Sequence, residues 1–379
     1  MTTPIEKVRE NRREAVFRLF NEKFKAACRV TVGSATCENA AGANEIYERL
    51  QNLAEEHGVE DLVIGRVGCA GRCDLEPVVT VMHPSETPVK YAQMSADRVD
   101  EIFEKHVLGG EVVEAYSMSR LAGVTNAERV VSLCGGARCL GNDSVAVEKA
   151  LMAAIEKRGL TDRVAVTRSA CQGLCEVGPV AWVYPDSVIY QQLTPEKMEE
   201  IVEKHLEGGR AVAEYIWEGE RLANRFFPIF GDVHFFGKQL RLTLRNCGVI
   251  DPESLDEYLA VRGYEALATV LTDMAPKDVV DTVYESGLRG RGGRGFPTGL
   301  KWRFGLGEDA EQKYIVCNAD EGDPGAFMDR SAIEGDPHTV LEGLMIGGYA
   351  IGASRGFIYI RAEYPLAIKR LRKAIADVR

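Results

Sequence analysis

Four residues of this chain recur at one fixed spacing. Cys37, Cys69, Cys73 and Pro77 return as Cys139, Cys171, Cys175 and Pro179, each 102 residues further on. Beyond them, EKHVLGGEVVEAY at 104–116 returns as EKHLEGGRAVAEY at 203–215, 99 residues on. The smaller second offset places a short hairpin insertion in the first copy. A unit this long can bury its own core, unlike a solenoid repeat, which leans on its neighbours. The chain therefore reads as two copies of one small domain followed by something else.

Within the second copy the pattern predicts an order of β-α-β-β-β-α. ERVVSL at 128–133 is a β-rich run ending at Cys134, and SVAVEKALMAAIEKRG at 144–159 has apolar residues at helical spacing. RVAVTRS at 163–169 reads as a strand, and VAWVYP and SVIYQQL as a hairpin turning near Pro185-Asp186. A last helix opens with Thr194 as N-cap and Pro195 at its first position, and Gly208 lies past its end. This order suits a thioredoxin-like sheet with helices packed on it. The first 27 residues read as a charged amphipathic helix, a packing arm. The expected domains are 1–118 (the helix and a degenerate thioredoxin-like copy), 119–216 (the intact copy), 217–250 (a connector) and 251–379 (a third α/β domain).

A net charge of -11 argues against a nucleic-acid partner, which needs clustered Lys and Arg. No run of about 18 apolar residues is present to span a membrane. The charged start MTTPIEKVRENRREAVFRLF has no apolar signal core, so a cytoplasmic location is expected. Ten cysteines in such a compartment point to metal binding or catalysis before disulfides.

Cys134-x4-Cys139 and Cys171-x3-Cys175 leave two predicted strands as two loop-borne pairs. A [2Fe-2S] cluster needs four thiolates around two irons, and two such loops can supply them. Gly135, Gly136 and Gly173 let the backbone pass close by. Four-cysteine zinc sites use similar spacings, although their usual knuckle is C-x2-C; buried structural thiols are the third reading. In the first copy the fixed offset sets Val32 opposite Cys134. Cys28 lies four residues earlier on the same strand, roughly 13 Å away, too far to substitute. A silent scaffold is the favoured reading of that copy, ahead of a cluster completed by some other group. Cys247 and Cys317, isolated in sequence, read as buried apolar thiols.

SGLRGRGGRGFPTGLKWRF at 286–304 contains Gly290-x-Gly292-x-x-Gly295. A helix precedes this loop, which rejects the ordinary Rossmann fingerprint, where a strand comes first. Exposed glycine N–H groups with Arg289, Arg291, Arg294 and Lys301 still suit a phosphate. A flexible surface loop is the alternative, opposed by Phe296, Pro297 and Trp302. After the strand KYIV comes CNADEGDPGAF at 317–327, where Asn318, Asp320, Glu321 and Asp323 crowd a strand end. These groups suit nucleotide hydroxyls; Mg²⁺ or Ca²⁺ is the rival, without the EF-hand spacing.

Together LRNCG at 244–248, SGLRGRGGRGFPTGLKW and NADEGDPGAF resemble the NADH-binding flavoprotein subunit of respiratory complex I and the diaphorase subunits of NAD-linked hydrogenases and formate dehydrogenases. The second copy is similar to the small thioredoxin-like [2Fe-2S] subunit that accompanies them. The resemblance implies FMN, NAD(H) and a [2Fe-2S] cluster, the last on Cys134, Cys139, Cys171 and Cys175. It implies that Gly290, Arg291, Gly292 and Lys301 hold the FMN phosphate and ring. Asn318, Asp320 and Glu321 would contact the ribityl chain and ring edge. Gly293, Phe296 and Phe304 would border the nicotinamide nucleotide, and Asp323 falls at an acidic NADH contact. The family's second glycine-rich segment, its asparagine-rich turn and its four-cysteine [4Fe-4S] motif have no counterpart here. The expectation is therefore a truncated chain, or one completed by another subunit, that oxidises NADH poorly alone.

Two functions follow. One is an NADH-linked electron-transfer subunit, partnered by other subunits of a hydrogenase, formate dehydrogenase or related complex. The other is a ferredoxin-like relay and assembly module with an inactive flavin domain.

Overall fold

The computed structural model describes residues 2–24, 26–83, 88–118, 129–135, 137–169, 176–184, 188–217 and 242–379. It divides into two compact units, Glu22–Val249 and Met1–Asn21 with Ile250–Arg379.

Both copies of the repeat lie in the first unit, and their sheets share one topology. In the first, β1 (Cys28–Gly33) pairs parallel with β2 (Leu62–Val67) and antiparallel with β3 (Val79–Met82), which pairs with β4 (Val89–Tyr91). The strand order is β2-β1-β3-β4. In the second copy, β5 (Arg129–Cys134), β6 (Val164–Ser169), β7 (Ala181–Tyr184) and β8 (Val188–Tyr190) repeat it as β6-β5-β7-β8. The predicted order of elements holds, with the long helix at Ser144–Lys157. β3 and β4 stand three residues further apart in sequence than β7 and β8, which locates the insertion in the first hairpin.

The central strands turn an apolar face to the helices. Val30 and Val32 of β1 pack with Ile46, Leu50 and Leu53 of the helix Ala43–Glu56, and with Val99, Ile102 and Phe103. Leu133 of β5 packs likewise with Val147, Leu151, Met198 and Val202. The repeated EKH…Y segment has a structural reason. Tyr190 Oη lies 2.8 Å from His205 Nδ1 and accepts the Val212 N–H at 3.0 Å. Tyr91, His106 and Val113 form the same buried set at 2.7 and 3.2 Å. One hydroxyl ties the last helix to the returning chain in each copy, so that the polar groups buried there find partners.

In the second unit, helices at Leu255–Ala260, Glu265–Asp273, Pro276–Glu285 and Thr298–Gly307 precede the parallel pair β9 (Tyr314–Ala319) and β10 (Arg355–Ile360). The helix Pro337–Ile351 links the strands, and Pro365–Asp377 ends the chain. The sequence groups the first helix, Pro4–Leu19, with the first repeat. The structure instead packs it on Leu255–Ala260 and Glu265–Asp273. Arg18 clamps Asp256 bidentately at 2.7 and 2.9 Å, and the Ile5 N–H reaches Thr272 Oγ1 at 3.3 Å. Its charge pattern announces a solvated face but does not name the partner of the other face.

β9 and β10 alternate in exposure. Ala319, Ile358 and Ile360 face the helix core with Leu341, Ala367 and Leu371. Tyr314, Val316, Phe357 and Tyr359 point the other way and are at least half exposed.

Candidate functional site

In the second copy Cys134 ends the central strand β5, its N–H donating to the Val180 carbonyl at 3.0 Å. Cys139 sits in the single helical turn Ala137–Gly141. Both thiols are buried and sleeved by Val180, Trp182 and Ile189, with Val177 and Trp217 at the margin. An apolar sleeve that excludes water suits a thiolate-held cluster, whose potential depends on solvent exposure. Cys171 and Cys175 lie outside the described residues, as do Gly136 and Gly173.

The first copy departs from the sequence reading at one position. Cys134 aligns with Gly33, not with Val32. The Gly33 N–H donates to Val78 O at 3.0 Å, as Cys134 does to Val180, and Gly33 registers with Val67 as Cys134 does with Ser169. The loop to Cys37 is one residue shorter than the loop to Cys139, so a constant offset slips on the strand. A Cβ built at Gly33 would fall 1.7 Å from Glu38 Oε1. Glu38 is buried, and its carboxylate accepts the Ala35 N–H at 3.1 Å. It occupies the space a fourth cysteine would need. Cys28 stands at the opposite end of β1, buried, its Sγ 3.8 Å from His83 Nε2. Cys69 Sγ lies 3.8 Å from Glu76 Oε1 and accepts the Gly71 N–H at 3.2 Å. Burial, then the Glu38 charge, pushes the Cys69 thiol up; burial, then Glu76, does the same to Cys73. Sequence reasoning missed Glu38 and Glu76. The signal was there in the repeat: their counterparts are Leu140 and Gly178.

The glycine loop is an ordered turn. The Gly290 N–H bonds Phe296 O and the Thr298 N–H bonds Leu288 O, both at 2.9 Å, with Arg289 bridged to Pro297. Gly293 (φ 92°) and Gly295 (φ 60°) adopt the left-handed region that side chains resist. A Cβ at Gly292 or Gly293 would meet nothing within 4 Å, so the turn is open on the side where a side chain would stand. Arg291 and Lys301 are exposed beside them, as are Phe296 (43%) and Phe304 (59%). Behind the turn the helix Thr298–Gly307 is locked close to its neighbour, since a Cβ at Gly299 would lie 2.3 Å from Tyr284 N. An ordered glycine turn with flanking cations can hold a phosphate.

At the end of β9 the four polar residues divide. Asn318, Asp320 and Asp323 are exposed; Asn318 Oδ1 accepts the Asp320 N–H at 3.0 Å. Glu321 is buried and faces the helix Met328–Gly335. Its carboxylate accepts the N–H groups of Met328, Asp329 and Arg330 at 2.5, 3.1 and 3.3 Å, and Tyr364 Oη donates at 3.1 Å. Arg361 donates to its carbonyl. Glu321 therefore caps a helix and fixes the turn. Arg361 and Tyr364, which the sequence did not single out, complete that support. The helix Pro337–Ile351 backs both regions: Gly347 abuts Trp302 of the glycine-loop helix and Ile315 of β9. Cys317, on the inner side of β9, is half-buried, and burial raises its thiol pKa.

Residues 283–379 match the family model of the Nuo51 FMN-binding domain, and residues 109–206 that of the thioredoxin-like [2Fe-2S] ferredoxin. The chain is 70% identical over 142 residues to HndC of the NADP-reducing hydrogenase of Solidesulfovibrio fructosivorans, covering 38% of this chain and 29% of that protein. It is 34% identical over 212 residues to the alpha subunit of the NAD-reducing hydrogenase HoxS of Cupriavidus necator, covering 55% and 32%. The chain thus spans about a third of the length of these two relatives. The crystal structure of the thioredoxin-like [2Fe-2S] ferredoxin from Aquifex aeolicus is 35% identical, with a TM-score of 0.22, covering 24% of this chain and 96% of that one.

Proposed function

Residues 109–206 belong to the thioredoxin-like [2Fe-2S] ferredoxin family and residues 283–379 to the Nuo51 FMN-binding domain family, and from their union in one chain we propose an NADH-facing electron-transfer part of a multisubunit oxidoreductase. FMN, when bound, would supply hydride acceptance from NADH and one-electron release. The chain's own residues supply position and charge. The Gly290–Gly293 turn would receive the FMN phosphate through the N–H groups of Gly292 and Gly293, Gly290 being tied to Phe296 O, with Arg291 and Lys301 balancing its charge. Asn318 and Asp320 accept hydrogen bonds from the ribityl hydroxyls. Glu321 acts behind them by holding the turn still. Phe296 and Phe304 offer exposed faces to the nicotinamide nucleotide, and Asp323 offers a carboxylate to its hydroxyls. Cys134, Cys139, Cys171 and Cys175 hold the [2Fe-2S] cluster. No described helix is long and apolar enough to cross a membrane. The partners are other subunits of a hydrogenase, formate dehydrogenase or related NADH-linked complex.

The observation that carries this reading is the ordered turn at 290–295, open at Gly292 and Gly293 and flanked by Arg289, Arg291 and Arg294. The test is anaerobic: the chain loaded with FMN and iron is mixed with NADH. Bleaching of the flavin band, followed by a [2Fe-2S] EPR signal that Cys134→Ser abolishes, is the expected result. The exposed apolar face of Tyr314, Val316, Phe357 and Tyr359 favours the alternative relay and assembly module. That reading is the outcome if no flavin is retained and only iron–sulfur absorption is seen.

A further inference from the structure

We propose that the first repeat is a metal site of a different kind from the second: it binds a single zinc ion through Cys37, Cys69, Cys73 and Glu76. The two copies share a fold, so the differences between them are informative. Where the second copy has Cys134, the first has Gly33, and the Glu38 carboxylate lies 1.7 Å from where a Cβ there would stand. A four-thiolate arrangement is therefore closed to this copy by packing as well as by composition. Yet the other three thiols persist, and a carboxylate joins them. Glu76 precedes Pro77 where Gly178 precedes Pro179.

The donor atoms already converge. One ligand atom each from Cys37, Cys73 and Glu76 lies within 4.8 Å of the other two. Cys69 Sγ is 3.8 Å from Glu76 Oε1, which brings a third sulfur to the same carboxylate. Zinc bonds sulfur at about 2.3 Å and carboxylate oxygen at about 2.0–2.2 Å in a tetrahedron. Those bond lengths place neighbouring ligand atoms roughly 3.5–4 Å apart. Cys37, Cys73 and Glu76 lie near that spacing, and Cys69, outside their 4.8 Å group but 3.8 Å from Glu76, must turn toward them. A two-iron cluster instead spreads four ligands in two pairs over two metals. Three sulfurs and one oxygen suit a borderline ion such as Zn²⁺, which takes both donor types.

Placement favours an occupied site. Cys69 is buried, Cys37 is half-buried and Cys73 reaches the surface, so the ion has an entry path. From the other side, Gly248 packs on Ala70 of the ligand loop: a Cβ there would lie 3.0 Å from the Ala70 Cβ. The loop is therefore held in place. Cys69 is held as a thiol hydrogen-bonded to Glu76, and a zinc ion would displace the thiol protons as it binds.

The test uses the full chain carrying its iron–sulfur cluster, equilibrated with zinc chloride and desalted before metal analysis. One zinc per chain is expected in addition to iron, with a zinc-edge X-ray absorption spectrum of three sulfurs and one light atom. Cys73→Ser and Cys37→Ser should each lose the zinc while the [2Fe-2S] EPR signal stays intact. Glu76→Gln, which keeps the shape, should weaken zinc by at least about 10–100-fold, the cost of losing even an outer-shell partner of a metal ligand. Absence of zinc after equilibration would overturn the proposal, as would zinc retained in both cysteine variants. A second iron–sulfur signal that disappears in Cys73→Ser would also overturn it, and would assign the site to a cluster.

Discussion

Replacing Glu321 tests whether the acidic turn is built from the inside. Its carboxylate is the cap of the helix Met328–Gly335, accepting three consecutive backbone N–H groups and the Tyr364 hydroxyl. Hydrogen bonds to a charged acceptor contribute about 1.5–3 kcal/mol each, less when they share one acceptor. Loss of a capping side chain alone costs about 0.5–2 kcal/mol, and the negative charge at a helix N-terminus adds about 0.3–1 kcal/mol. Glu321→Ala removes all of these and buries three unsatisfied donors, so about 3 kcal/mol is expected. Glu321→Gln keeps one acceptor and loses the charge, for about 1 kcal/mol. At about 1.36 kcal/mol per decade, local opening becomes about 150-fold more frequent in the first case and about fivefold in the second. Hydrogen–deuterium exchange of a peptide covering 328–335, read by mass spectrometry without flavin, measures this directly; the peptide covering Pro365–Asp377 serves as reference. Exchange within about twofold of wild type in Glu321→Ala would refute the capping argument. If flavin affinity alone then fell, Glu321 would be a direct flavin contact.

Tyr190→Phe strips the Val212 N–H and His205 Nδ1 of their shared hydroxyl and should destabilise the second copy by about 2 kcal/mol; an unchanged calorimetric midpoint would contradict this. Burial lowers the pKa of His338 from 6.5 to about 4. Its neutral form is the one the fold accepts, so the stability it contributes is complete above pH 6.5 and is lost as pH falls toward 4. The loss is about 3 kcal/mol by linkage, and guanidinium unfolding across that range should show it, with His338→Gln flattening the profile. Gly299→Ala should destabilise by about 3 kcal/mol, although alanine normally favours helix by about 1 kcal/mol. The added Cβ would meet the Tyr284 backbone at 2.3 Å, where no side chain can yield. A thermally more stable Gly299→Ala protein would show that the two helices separate freely.

The duplicated domains, their β-α-β-β-β-α order and the cysteine pairs could all be read from sequence. Each rests on local pattern: alternation, helical spacing, a proline at the first turn of a helix. The glycine loop could be read as a non-Rossmann turn because a helix, not a strand, runs into it. What the pattern could not supply is which residues meet across a fold. A constant offset put Val32 opposite Cys134, but a one-residue change in loop length moved the match to Gly33. A single step along a strand reverses the face, so this slip altered the chemistry assigned to the position. Glu38 and Glu76 were not singled out in the sequence; the fold brings them beside the cysteines. Glu321, one of four polar residues in a row, turned inward because Met328–Gly335 begins where its carboxylate can reach. The charged first helix found its partner more than two hundred residues away, through the Arg18–Asp256 clamp. Local propensity decides which elements form; the partner of a buried carboxylate or an apolar stripe is decided only when distant segments pack together.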